Sequence, residues 1–414
     1  MVRRVVGALC AAHAANDGTT VLVPSLLPIA AQLFHIGYLD LGILVAAGYA
    51  VNMLVQPVVG RFLEWAGAPK LLALGLGSMA VATIVIADSS SYSSLLLGVV
   101  ILRFGSSFYH PIGPSVVSKT YSGNRVDKIM GIQSGFGDIG SFLLFVSASL
   151  LYATLGWKTP FLIFAAIDFS VALIVFEFLS RVPSNPVTGE IIPPSVSPLS
   201  LAGVKGDTSD PASSTSVSFE ETQSPRDSRE MPLLALFIAT FVTGGVYAIV
   251  LNFANSLMAG VYHSVLLANL PVSLWLLAFV FADFSTGPLS RKVGRWKLLV
   301  ISYAVAGLSM ALFSVGFASL SVAALVLVAN GFTLAFTAPL IYSEIGTRRD
   351  RGGKGGLSLG TVFGLLFSIQ VIGSALFSYL GGQISQSLRP VYPFELTSLV
   401  LFGVVLLLVR YVRK

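Results

Sequence analysis

The sequence predicts an all-α membrane protein with twelve transmembrane helices in two pseudo-symmetric six-helix bundles. Of its 414 residues, 55% are hydrophobic and 11% charged, against about 25% charged in soluble domains. The apolar residues fall into stretches of about 20 or more, the length an α-helix needs to cross a hydrocarbon layer. A polar segment, 182–230, parts those stretches into two sets of six.

The expected spans are 5–34, 38–65, 70–87, 92–120, 128–154 and 158–180, then 232–261, 266–289, 296–315, 319–345, 356–386 and 391–411. Several are long enough to require tilt. The first is too long for a secretory leader and lacks a small-residue cleavage site, so it is expected to stay as a span. Segment 182–230 is rich in Pro, Ser, Thr, Glu and Asp; such a composition buries too little apolar surface to fold. The expected organisation is a bundle over 1–181, a flexible cytoplasmic linker over 182–230 and a second bundle over 231–414.

Charge sets the orientation. Arg3 and Arg4 precede the first span, and alternate loops carry Arg61 and Lys70, Arg125 and Lys128, then Arg291, Lys292, Arg295 and Lys297, then Arg348, Arg349, Arg351 and Lys354. The chain ends in Arg410, Arg413 and Lys414, while the opposite loops hold only Lys158 and Arg389. By the positive-inside rule both termini and the linker are cytoplasmic, in a multi-pass protein of the cell membrane. The net charge of +6 therefore encodes topology and not nucleic-acid binding. A single cysteine, Cys10, excludes an internal disulfide framework. The run Gly352-Gly-Lys-Gly-Gly lacks the order of a phosphate loop. No nucleophile or metal-ligand constellation is visible. The expectation is a non-enzyme without cofactor or metal, monomeric in the bilayer and driven by an ion gradient.

The halves echo each other. Gly60-Arg-Phe-Leu-Glu64-Trp-Ala-Gly67-Ala-Pro-Lys70 follows the second span, and Gly287-Pro-Leu-Ser-Arg291-Lys-Val-Gly294-Arg-Trp-Lys297 the eighth, with Gly, Gly and Lys in the same register. Such repeats occur in transporters built around a central site. These loops resemble the signature loop of the major facilitator superfamily, with Glu64 at its acidic position. His13-Ala-Ala-Asn16-Asp17, Pro24-Ser-Leu-Leu-Pro28, Gln56-Pro57-Val-Val-Gly60 and Gly105-Ser-Ser-Phe-Tyr-His110-Pro111 further resemble the fosmidomycin-resistance group of exporters. The resemblance covers roughly residues 10–145 and implies a rocker-type secondary transporter, often a proton-driven exporter. Three departures stand out: Arg103 replaces a small residue, Asp138 an Asn, and Leu144-Phe145 a Gly-Pro pair.

The chemistry concentrates in a few spans. An intramembrane charge costs at least about 2.5–3.5 kcal/mol and marks a pathway by default. His13 and Asp17 are four apart on one face of the first span. Arg103, Ser107 and His110 share a face of the fourth. Arg103 stays protonated and needs an acid or an anionic substrate, with Asp17 and Asp138 as the expected acids. His110 titrates near neutral pH and is expected at the depth of Asp138. The proton-coupling or charge-pairing set is therefore Asp17, Asp138, His110, Arg103 and His13. The substrate-cavity set is Asn16, Ser107, Tyr109, Gln133, Tyr247, Asn252, Asn255, Asn330, Thr333, Thr337, Thr361 and Gln370. Gly60, Glu64, Gly67, Asp283, Gly287, Arg291 and Gly294 form the gating set, with Asp283 expected to clasp a loop arginine. Gly131, Gly135, Gly137 and Gly140 read as close-packing positions. Asp168 faces either the cavity or a hydroxyl partner.

The expected function is secondary active transport by alternating access: proton-coupled export of a small amphipathic or anionic drug or metabolite. The alternatives are a proton-coupled symporter importing an organic anion or metabolite, and a non-transporting receptor or scaffold of the same fold. The last gains nothing from the cost of intramembrane charges.

Overall fold

The computed structural model describes residues 2–120, 124–181, 231–342, 344 and 359–412, almost all of them helical. The expected linker, the loop over 345–358 and the side chains of Glu64 and Thr361 lie outside the described residues.

The first crossing is α1 (Val2–Thr20) and α2 (Leu22–Leu33), parted at Val21. Pro24 has no N–H for the carbonyl of Thr20, which explains a break at this point. Helices α3 (Tyr38–Ala66) and α4 (Ala68–Ala87) follow. The fourth crossing is also double: α5 (Tyr92–Ser106) and α6 (Tyr109–Thr120). Pro111 leaves the carbonyl of Ser107 without its helical donor, and the chain turns at Ser107–Phe108. Helices α7 (Asn124–Leu155) and α8 (Lys158–Ser180) complete the first half.

The second half opens with α9 (Leu233–Ile249), a π-helical turn over Val250–Ala254 and α10 (Asn255–Tyr262), one crossing in three pieces. Then come α11 (Val265–Val293), α12 (Arg295–Gly316) and α13 (Leu320–Ala335), which continues helically to Tyr342 past a turn at Phe336. Helices α14 (Leu359–Ser387) and α15 (Tyr392–Val412) end the chain. Among the described residues, 11 helical stretches are long and apolar enough to span a membrane. The α1–α2 pair supplies the remaining crossing, its hydropathy lowered by His13 and Asp17. The expected first, fourth, seventh and tenth spans are therefore each interrupted; proline accounts for the first two.

Each half has its own apolar core, around Leu26, Met79 and Phe161 in the first and Trp275, Tyr303, Phe313 and Phe394 in the second. Leu74, Val81, Phe169, Leu325 and Leu399 stay exposed on the outside, as a lipid-facing surface requires. The halves meet where α3 packs on α14 and α7 on α11. The repeated loops keep their symmetry: Gly67 and Gly294 carry φ of 79° and 92° between α3 and α4 and between α11 and α12. With ψ of 152° and 136°, both need glycine.

The bundle is sealed at the face distal to the termini. Asn255 donates to the carbonyl of Pro24 (2.7 Å) and to Asn269 Oδ1 (3.1 Å), while Asn269 donates to the carbonyl of Ser25 (2.7 Å) and to Ser149 Oγ. The N–H of Tyr38 donates to Gln386 (2.9 Å). Gly42 and Gly382 let α3 and α14 touch; a Cβ on Gly42 would stand 2.7 Å from the carbonyl of Ser378 and 2.9 Å from the Cα of Gly382.

Candidate functional site

The intramembrane ionisable groups gather where the two halves face each other. His13 and Asp17, one turn apart on α1, meet at 2.9 Å between Nε2 and Oδ2. His110 of α6 reaches Oδ1 of Asp17 at 3.4 Å, and Asn16 donates to the same oxygen at 2.8 Å. Gly137 of α7 makes room: a Cβ there would stand 2.7 Å from His13 Nε2 and 2.8 Å from Asp17 Oδ2. Tyr109 stacks on His13 at 4.2 Å and donates its hydroxyl to the carbonyl of Leu9. The side chains of Asp17 and His110 are 22% and 31% exposed, so the trio is in contact with an accessible space.

The hydrogen bonds of His13 assign a proton. Its Nδ1 lies 2.7 Å from the carbonyl of Gln133, which can only accept, so Nδ1 carries hydrogen. Its Nε2 then needs a second proton to meet Asp17 Oδ2, on the imidazole or on the carboxyl. The pair thus holds one proton more than a neutral imidazole beside an ionised carboxylate. The ligand atoms of His13, Asp17 and His110 lie within 4.8 Å of one another. Two ligands of a tetrahedral zinc would stand about 3.3 Å apart; the 2.9 Å contact suits a shared proton better.

A second contact joins the halves. Asp138 of α7 and Asp283 of α11 lie within hydrogen-bonding distance of each other. Ser134 donates to Asp283 Oδ2 at 2.9 Å. Two carboxyl groups this close hold together only with a proton between them.

Of the two partners expected for Arg103, an acid or an anionic substrate, the acid is not found among the described residues. It is 8% exposed, and no described carboxylate pairs with it; its guanidinium lies over the ring of Tyr49, 4.6 Å from the centroid. A cation–π contact returns about 0.5–2 kcal/mol, less than the minimum of about 2.5–3.5 kcal/mol for an intramembrane charge. Asp17 is held by the two histidines and Asn16, and Asp138 by Asp283, so neither expected acid serves Arg103. Two further expectations change. His110 contacts Asp17 and not Asp138, because the break at Ser107–Phe108 resets the direction of α6. Among the described residues Asp283 clasps Asp138 and Ser134 and no loop arginine; one loop arginine that does pair is Arg295, 2.7 Å from Glu344.

Several expected cavity residues are engaged in packing. Asn252 donates to the carbonyl of Ala248, Thr333 to those of Ala329 and Asn330, and Thr337 to that of Leu334. Asn330 accepts from Trp275 Nε1 at 2.9 Å. Ser107 donates to the carbonyl of Arg103 and to Asn52. Asn255 belongs to the distal seal. Gln133 contributes its carbonyl to His13, while its buried Oε1 has no partner. Tyr247, packed on Trp275 and Phe279 at 5.1 and 5.8 Å, and Gln370, which accepts from Tyr342 at 2.6 Å, stay partly open. Asp168 is 0% exposed and accepts from Thr19 at 3.0 Å, away from the open space. Of the gating set, Gly60, Gly287 and Arg291 lie on exposed or partly exposed helix turns near Gly67 and Gly294. Gly135, Gly137 and Gly140 are close-packed; Gly131 has nothing within 4 Å. Sequence reasoning missed Tyr49, Asn269 and Phe367, whose ring stacks on His110 at 5.9 Å. The one legible signal among them was the Asn at 269 within an apolar span.

Comparison with known proteins agrees with this architecture. The family model of the Major Facilitator Superfamily matches residues 9–355. The chain is 24% identical over 388 residues to the fosmidomycin resistance protein of Escherichia coli, covering 92% of this chain and 87% of that one. It is 30% identical over 142 residues to the human synaptic vesicular amine transporter, covering 33% and 28% of the two chains. A solved bacterial homologue of the human lysosomal transporter Spinster, inward-facing and occupied, superposes with a TM-score of 0.73 at 15% identity, covering 99% of this chain and 96% of that one. With twelve crossings in two matched halves and a family match across most of its length, the chain belongs to the Major Facilitator Superfamily of membrane transporters.

Proposed function

We propose that the chain is a proton-coupled exporter of a small molecule, acting as a monomer in the cell membrane with both termini in the cytoplasm. The observation that carries the reading is the 2.9 Å contact of His13 with Asp17, beside His110, at the junction of the halves, whose geometry calls for a shared proton. Imidazole is the side chain suited to proton exchange under physiological conditions, and two of them contact Asp17. The Asp138–Asp283 contact adds a proton-dependent bond between the bundles. Loss of that proton sets two negative charges against each other across the interface, which favours parting of α7 and α11. The excess of Arg and Lys at the terminal face supports a cytoplasmic placement of that face. Outward transport draws support from the relative named for drug resistance.

The test is flux into proteoliposomes holding the purified full chain, across a panel of metabolites and antibiotics, with pH gradients of either sign. Export by antiport predicts substrate accumulation against the proton flow, with a matching pH change. Accumulation along the proton flow would establish symport instead, and flux indifferent to pH would remove proton coupling.

A further inference from the structure

We infer that Arg103 recognises the cargo, and that the cargo is an organic anion carrying a carboxylate or phosphate-type group on an apolar or aromatic body. This rests on the transport reading above and adds the polarity of the substrate.

The guanidinium offers five donors and cannot discharge itself by losing a proton. Among the described residues none of those donors is used. The carbonyl of Arg103 accepts from Ser106 and Ser107, but the side chain meets only the face of Tyr49. Gly48 shapes this berth: a Cβ there would stand 2.8 Å from Arg103 Cγ. A fixed, buried cation with its donor fork unspent is a receptor for a planar or tetrahedral anion, which it engages bidentately.

Its placement fits a cargo shared by both bundles. Arg103 is within electrostatic reach of His110 on α6 and of Tyr247 on α9. Tyr247 and Phe279 are partly exposed and pack against buried Trp275. They present an aromatic wall from the second half, within electrostatic reach of a cation from the first that has no partner acid among the described residues. No carboxylate of the site is free for a cationic cargo: three donors occupy Asp17, and Asp138 and Asp283 occupy each other. The charge that is left uncompensated is positive.

The experiment is thermal unfolding of the purified full chain with three probes at equal ionic strength: 4-phenylbutyrate, phenylphosphonate and phenyltrimethylammonium. Both anions are expected to raise the unfolding midpoint of the wild-type protein and the cation to leave it unchanged. Arg103→Gln is expected to weaken the half-saturating anion concentration at least tenfold. Arg103→Lys, which keeps the charge and loses the fork, is expected to fall between. Stabilisation by the cation alone, no response to either anion, or anion stabilisation that survives Arg103→Gln would overturn the inference. If Arg103→Gln does not fold, the polarity of the wild-type response decides. Gradient-driven flux of a cationic substrate in proteoliposomes would overturn the anion assignment while leaving the transport reading standing.

Discussion

Asn255 donates a 2.7 Å hydrogen bond to the carbonyl of Pro24, the acceptor that Pro28, four residues on, has no N–H to serve. Proline thus creates on α2 a docking point that a side chain from the other half occupies. Asn269 docks beside it, on the next carbonyl, that of Ser25. The distal seal is built from backbone of the first bundle and amides of the second, directly after a π-helical turn, a local irregularity frequent at functional positions.

Replacing Asn255 with Leu should loosen that seal. A buried carbonyl left without a donor costs about 1–3 kcal/mol, and the cost falls only on the distally closed state. The measurement is labelling of Ser25→Cys by a membrane-impermeant maleimide in a Cys10→Ser background. Labelling should be several-fold faster with Asn255→Leu than without it.

Gly137→Ala should separate His13 from Asp17, because the new methyl would fall 2.7–2.8 Å from both reacting atoms. Overpacking costs about 1–3 kcal/mol, so the unfolding midpoint should drop. Gradient-driven flux should fall at least tenfold, since the proton site is displaced. Gly131→Ala, with open space around it, should leave both readouts near wild type.

The Asp138–Asp283 contact predicts a pH dependence with a definite sign. The bond requires a proton, so it forms on the acid side of the pair's titration and is lost as pH rises. A spin-label distance between α7 and α11 near the terminal face should lengthen with rising pH. In Asp138→Asn the amide donates to Asp283 without a proton, and the distance should stay short across the range.

Asp168 should behave as a packing group. Its Oδ1 accepts from Thr19 and the whole residue is 0% exposed, out of reach of the accessible space. Asp168→Asn should retain gradient-driven flux within a factor of about two, whereas Asp168→Ala should lower the unfolding midpoint through the unmet hydroxyl of Thr19.

The fold was legible because its signals are local: apolar runs of membrane length, a polar divider, alternating basic loops and a repeated Gly-x6-Gly loop. His13 and Asp17 were equally legible, since four residues of separation place them together on any helix. The partnerships of Arg103, His110 and Asp283 were not. Asp138 and Asp283 come from different halves, and only the packing of α7 on α11 brings them together. The turn at Ser107–Phe108 aims His110 at Asp17. Arg103 was expected to find an acid or an anionic substrate because unpaired buried charge is costly. The acids had in fact been taken by nearer partners, which helical spacing on one segment does not reveal.

The central claim is that the His13–Asp17 pair stores the coupling proton, and Asp17→Asn tests it most directly. In proteoliposomes this variant should lose pH-driven accumulation of substrate while still exchanging labelled for unlabelled substrate across the bilayer. Accumulation at the wild-type rate and level, with Asp17 unable to ionise, would contradict it.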